Sequence, residues 1–350
     1  MILSFIIPAL KNTGPILVVR DIIGHLVQQY PDDQITVFYL DQVEDPIAVD
    51  CSAFWLKAAG SESLLLESDI IHSHGIRPDY YVFKNRKKIK GKCVSTIHSL
   101  LFNEYRFKYN RLVAYLIQFI WSRLVSRHDK IVALTAIMKQ HYTHLVPEAK
   151  LIVINNGRNV TTQDIDPNDR GIFAELKEKY KIIGIACVLN KGKGLHQVVE
   201  ILPQLPDFAF VIIGDGPERS ILEDQAARLG LGDRCLFLGT RSEGYRYNRY
   251  FDYYVFPSYT EGLPLSLLEA AALSKVVICS SIPVHHEIFT DQEVSFFRLD
   301  DHESLIQAIH DAQLKGRDFQ ANIFKKYNER YTAQIMAQSY YTLYSSLARS

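Results

Sequence analysis

Nowhere do the 350 residues of this chain approach the roughly 20 consecutive apolar positions that a membrane-spanning helix needs. No transmembrane segment is expected. The apolar opening, MILSFIIPAL, lacks both a basic leading region and a small-residue cleavage site, so it reads as a first strand and not as a signal peptide. Cysteine is scarce: the five present (Cys51, Cys93, Cys187, Cys235, Cys279) are odd in number, widely spaced and mostly inside apolar runs. That pattern fits neither a disulfide framework nor a zinc site, and it predicts reduced core thiols in a cytoplasmic protein. Charge of one sign is not in excess either, since 39 Lys and Arg meet 39 Asp and Glu, and no nucleic-acid partner is expected. Short repeats and low-complexity segments are absent.

What is present is the composition of an ordinary globular protein, 47% hydrophobic and 22% charged, long enough for two cores. Short runs of Ile, Val, Leu and Phe alternate with helix-length amphipathic segments, the pattern of parallel sheets crossed by helices. In the first half the strands are expected at 2–7, 35–40, 69–73, 93–97, 130–134 and 151–154. A second series is expected at 182–188, 208–213, 235–238, 253–256, 276–279 and 294–298. Between them lies the polar stretch TTQDIDPNDRG at 161–171, which sets the boundary. The resulting organisation is an α/β N-terminal domain over 1–165, a second over 166–330, and a last helix over 331–350 that packs back on the first.

In doubly wound sheets ligands meet the carboxyl ends of strands, so the loops there matter most. The strongest local signal is PSYTEGLPLSLLEAAALSKVVICSSIPVHHEIF, from Pro257 to Phe289. It leaves a strand, turns through a Gly-containing loop and enters a helix near Pro264, placing Glu261 in the loop and Glu269 along the helix. Carboxylates accept hydrogen bonds from adjacent sugar hydroxyls, although two glutamates eight apart mean little by themselves. Upstream, VIIGDGPERSILEDQAARLGLGDRCLFLG gives a strand, GDGP, a helix and a strand ending in Gly. GDGP lacks the third glycine of a dinucleotide fingerprint, position 219 being Arg.

The Pro257, Ser258, Glu261, Gly262, Pro264, Leu268, Glu269, Ala270 and Glu287 pattern, with GDGP before it, resembles the donor site of family 4 retaining glycosyltransferases of GT-B architecture. KNTGP, DIIHSHG, CVSTIHS, IVALTAIMKQHY and VINNG extend the likeness over nearly the whole chain. The resemblance implies two Rossmann-like domains facing across a cleft, the acceptor on the first and the nucleotide-sugar donor on the second. It gives Glu269 the ribose hydroxyls, sets Glu261 and the backbone at Gly262, Leu263 and Pro264 beside the donor hexose, and brings Gly14 close to the diphosphate. Lys193, among the glycines of KGKG behind a strand, is a natural phosphate contact on its own account and matches the family's diphosphate lysine. His98, at the end of the strand 93–97, would lie near the donor sugar; as a lone histidine it would equally well serve as a strand-end residue bonded to backbone. His285 and His286 read as ordinary structural histidines. The catalytic set is therefore His98, Glu261 and Lys193.

The implied reaction moves a hexose, with retention, from a UDP-sugar, or next a GDP-sugar, to a glycan or lipid-linked saccharide in polysaccharide or lipopolysaccharide synthesis. No metal and no further cofactor is expected. Two departures stand out: Val188 occupies the position of a usual arginine, and Ser274 and Val276 replace the usual Gly and Pro. Lys191, Arg241 or a basic residue of the first domain could supply the missing charge. The alternatives are a nucleotide-sugar epimerase or glycan phosphorylase of similar architecture, and a catalytically silent nucleotide-sugar binding subunit. Finally, eleven basic residues and a single acid, Glu104, fall between Lys84 and Arg127. With Leu112, Leu116, Phe119, Ile120 and Trp121 covering a broad helix surface, this stretch predicts peripheral contact with an anionic inner leaflet.

Overall fold

The computed structural model describes residues 1–161 and 163–349 and divides into two compact units. The first comprises Met1–Arg158, Gly262–Pro264 and Arg330–Ser350; the second comprises Asn159–Glu261 and Leu265–Glu329.

The sheet of the first unit contains β1 (Ile2–Ala9), β2 (Gln34–Asp41), β3 (Ser52–Trp55), β4 (Ile70–His74), β5 (Lys92–Ile97), β6 (Lys130–Ala133) and β7 (Leu151–Val153). They lie in the order β3-β2-β1-β4-β5-β6-β7, and every pairing is parallel. The second sheet contains β8 (Lys181–Ala186), β9 (Phe208–Ile213), β10 (Cys235–Gly239), β11 (Tyr253–Phe256), β12 (Val276–Ser280) and β13 (Ser295–Phe297), in the order β10-β9-β8-β11-β12-β13 and again parallel. Helices cover both faces of such a sheet, which is why its central strands are continuous apolar runs: all of β4, β9 and β12 is buried. The twelve strands expected from apolar runs all form. The thirteenth, β3, is a half-exposed edge strand of four residues, SAFW, too short and too open to give such a run.

Order reverses between β1 and β4 in one sheet and between β8 and β11 in the other. Strand order reversal leaves a crevice beyond the carboxyl ends of the two strands, because their crossover helices go to opposite faces. Those four strand ends lead into the Gly14 loop, His74, the Lys191–Gly194 turn and the Pro257–Glu261 loop.

The polar 161–171 stretch is not loop throughout. A helix spans Pro167–Lys177, with the Asp166 side chain accepting from the Asn168 amide and Pro167 in the first turn, where its missing N–H is no loss. The last helix, Ala333–Ala348, buries Tyr340, Leu343 and Leu347, stacks Tyr341 on Tyr30 at 3.5 Å, and belongs to the first unit.

The helix Arg111–Val125 differs from the expectation in one residue. Trp121 is buried, not exposed, because its indole N–H donates to the Asp79 carboxylate at 2.8 Å. The inward face also carries Ala114, Gln118, Ser122, Leu124 and Val125, whereas Leu112, Tyr115, Leu116, Phe119 and Ile120 are 44–77% exposed. Among the described residues no helix is long and apolar enough to cross a membrane.

Candidate functional site

Lys193 and Glu261, 68 positions apart, meet at the switch point of the second sheet. The lysine Nζ donates to Glu261 Oε1 at 2.7 Å, with the two side chains only 19% and 11% exposed. The turn that presents the lysine ends at Gly194, whose φ of 62° is left-handed and where a Cβ would lie 2.3 Å from the Pro257 carbonyl oxygen. Only glycine lets this turn press against the loop that supplies Glu261. The ammonium also sits 5.3 Å from the Phe256 ring centre, so an apolar wall backs the pair and keeps the local dielectric low. Glu269 lies on the next helix, Leu265–Ala272, and is nearly buried, at 7% exposure.

The GDGP loop acts in support. Leu189 donates its amide to the Asp215 carbonyl and accepts from Glu218, stitching the segment after β8 to the loop after β9. Of the candidate replacements for the absent arginine, Arg241 is already committed: it makes two hydrogen bonds to the Asp169 carboxylate, at 2.7 and 3.1 Å. Those bonds raise the arginine and hold the Asp169 carboxyl below its ordinary range. Lys191 is exposed in the turn that carries Lys193, and Val188 is 62% exposed.

In the first unit, Gly14 opens the helix Gly14–Gln29, and a Cβ there would meet no atom within 4 Å. Packing alone does not require glycine at this position. Pro264 immediately precedes its helix and has no N–H, so of the three backbone positions Gly262, Leu263 and Pro264 only the first two carry amides. A Cβ on Gly262 would lie 2.2 Å from the His98 carbonyl oxygen, and Leu263 accepts a hydrogen bond from the Asn156 side chain at 2.9 Å. Gly262 is thus fixed by close backbone approach to His98, within one unit.

His98 is not a lone histidine. Its Nε2 is 2.9 Å from Nδ1 of His74. The His74 ring lies 4.1 Å from that of His72, which is bonded to Tyr344 at 2.6 Å and Thr96 at 2.8 Å. Register explains the grouping. His72 and His74 alternate to one face of β4, and His74 pairs with Thr96 on β5, two residues before His98. Burial lowers all three, His98 to about 4 and the other two well below the ordinary range, so the rings are neutral at pH 7. The histidine pairing went unrecognised in the sequence, although H-x-H at the end of one strand and T-x-H at the end of its neighbour was a readable signal. His285 is buried and bonded to the Ser280 carbonyl at 2.8 Å, a structural role as expected.

A second buried cluster, also unforeseen, centres on Asp79. It accepts from Ser73 at 2.6 Å, Ser95 at 2.8 Å and Trp121, with His128 Nε2 3.7 Å away. Burial pushes Asp79 up to about 6 and His128 down to about 3.

Residues 29–162 match the family model described as Glycosyltransferase Family 4, and residues 169–330 match Glycosyl transferases group 1, one model over most of each sheet. The Escherichia coli O-antigen biosynthesis glycosyltransferase WclY is 28% identical over 356 aligned positions, covering 100% of this chain and 99% of that protein. Among solved structures, HepE of Anabaena bound to UDP-glucose superposes with a TM-score of 0.81 at 18% identity, covering 99% of this chain and 100% of that one. Sucrose-phosphate synthase of Thermosynechococcus elongatus gives 0.82 at 18% identity, with both chains fully covered. With both halves matched by these models, the chain belongs to the family 4 glycosyltransferases of GT-B fold.

Proposed function

We propose that this glycosyltransferase transfers a hexose, with retention of anomeric configuration, from a UDP-sugar to a growing or lipid-linked saccharide in surface polysaccharide synthesis. The observation that carries the reading is the Lys193–Glu261 pair at the switch point with Glu269 on the helix behind it. Cleaving the anomeric C–O bond builds negative charge on the diphosphate, and a fixed ammonium in a low-dielectric wall stabilises charge that develops there. Glu261 orients that ammonium and reaches the donor hexose. Glu269 takes the ribose hydroxyls, the Gly262 and Leu263 amides face the sugar, and the open space at Gly14 admits the diphosphate. His98 stands beside the reacting sugar. Lys191 supplies the second cation that Val188 does not. With the Lys193 ammonium meeting the leaving group, the reaction runs without a metal. Uridine as the nucleoside is supported by the HepE complexes with UDP and UDP-glucose, and the pathway by the O-antigen name of the E. coli relative.

A panel of UDP- and GDP-sugars tested for thermal stabilisation, then for transfer in the presence of chelator, checks the donor assignment. A UDP-sugar should raise the melting temperature by mass action and support transfer. Stabilisation by no nucleotide sugar would remove the reading.

The same proposal places the enzyme at the inner face of the cytoplasmic membrane. The outward face of Arg111–Val125 offers Leu112, Tyr115, Leu116, Phe119 and Ile120 to an apolar phase, bordered by Arg106, Lys108, Arg111 and Arg123. Each cation near an anionic surface contributes about 1 kcal/mol, screened by salt. The basic run FKNRKKIKGK at 83–92 is less available than its charge implies, since Arg86 pairs with Asp129 and Lys90 with Glu67. Sedimentation with phosphatidylglycerol vesicles should therefore drop more for Leu116→Ser with Phe119→Ser than for neutralised Lys87 and Lys88. Equal binding by both variants would return the helix face to an ordinary surface.

A further inference from the structure

We propose that His74 is a positioning residue for His98: it donates its Nδ1 proton to His98 Nε2 and so holds His98 in the tautomer whose own proton is on Nδ1. His98 then meets the bound substrate as a hydrogen-bond donor and not as a base. This rests on the reading of His98 as a site residue.

The argument starts from the far side of the His74 ring. Its Nε2 is buried and has no hydrogen-bond partner among the described residues. A buried N–H without a partner costs more than a buried lone pair without one, because donors are the groups that proteins almost never leave orphaned. The single ring proton of a neutral His74 therefore belongs on Nδ1, 2.9 Å from His98 Nε2. His98 Nε2 must accept, and its proton is left on Nδ1. Neutrality of the pair follows from burial, which leaves tautomer and not charge as the variable at pH 7.

The His74 ring is itself held. His72 packs at 4.1 Å with both nitrogens bonded, to Tyr344 and to Thr96, and Thr96 is bonded to Tyr340 at 2.9 Å. Tyr340 and Tyr344 lie one turn apart on the last helix, so that helix braces the histidine row from behind. Nothing in a merely structural role would need His98 in one tautomer, whereas a donor aimed at a substrate oxygen does.

Long-range proton–nitrogen NMR on the whole chain, labelled with nitrogen-15 histidine, reads the tautomer directly, with His98→Asn identifying the signal. His98 protonated on Nδ1 is expected; protonation on Nε2 overturns the proposal. The asparagine amide falls near the Nδ1 position of histidine and the glutamine amide near Nε2. His98→Asn should thus retain kcat within about tenfold while His98→Gln loses roughly 100-fold, with little change in KM for either. The reverse order overturns it. His74→Asn, which keeps a donor in place, should preserve the His98 tautomer, while His74→Leu should release it and lower kcat. An unchanged tautomer in folded His74→Leu overturns the role of His74. If Nδ1 is protonated but His98→Ala transfers sugar at the wild-type rate, the placing of His98 in the site fails while the action of His74 on its ring stands.

Discussion

The two switch points solve different electrostatic problems with different residues. In the second unit the strand ends carry full charges, Lys193 against Glu261, held together at 2.7 Å. In the first they carry neutral rings, His74 and His98, kept uncharged by burial. A diphosphate needs a fixed opposite charge, which burial makes effective only if a partner carboxylate keeps the cation ionised. A sugar hydroxyl needs only a directed donor or acceptor, and an uncharged one is cheaper to bury. One strand-end crevice is therefore equipped for charge and the other for hydrogen-bond direction.

Lys193→Ala is the most severe way to sharpen this contrast. Losing the leaving-group cation should lower turnover by about 10²–10³-fold, with a melting temperature close to wild type. Steady-state kinetics beside a thermal melt checks it, and wild-type turnover would show that another cation serves the diphosphate. Glu269→Ala comes next. It should weaken nucleotide binding by about 1–3 kcal/mol, measured by calorimetry with UDP, because a charged acceptor is lost. Unchanged affinity would move the ribose elsewhere.

The smallest effect is the pH dependence of stability, which should separate the two units. His72, His74, His98 and His128 in the first unit and His285 in the second all have folded values below the ordinary 6.5, His98 and His285 at about 4 and His128 at about 3. The unfolded chain takes up protons that these rings refuse, so their contribution is present above about 6.5 and lost as pH falls toward 4. Asp79, raised to about 6, works the other way: its protonated form is favoured and its contribution declines as pH rises between about 4 and 6. Four histidines outweigh one aspartate, so hydrogen exchange at pH 5 against pH 7.5 should show the first sheet losing protection before the second. Equal loss in both sheets would break the comparison.

The sequence was unevenly legible across these two regions. Lys193 could be named because a lysine among glycines behind a strand is a phosphate contact on its own account, whereas Glu261 and Glu269 gained weight only from the resemblance of the motif around them. The histidine row could not be assembled, because His72, His74, Thr96, Tyr340 and Tyr344 meet only through the β4–β5 register and the return of the last helix. The burial of Trp121 was equally hidden. Apolar periodicity says that a helix has two faces, but it does not show that Trp121 turns inward to donate to the Asp79 carboxylate.

By itself, then, the sequence determined the strand runs and the two-sheet organisation, since both follow from periodicity over a few residues, while the loops that would meet a nucleotide sugar were marked by their resemblance to a family motif. Only the tertiary structure decided which cation is committed elsewhere, as Arg241 is to Asp169, and which histidine nitrogen is left to donate. Pairing and burial depend on residues tens or hundreds of positions away, and no local pattern encodes them.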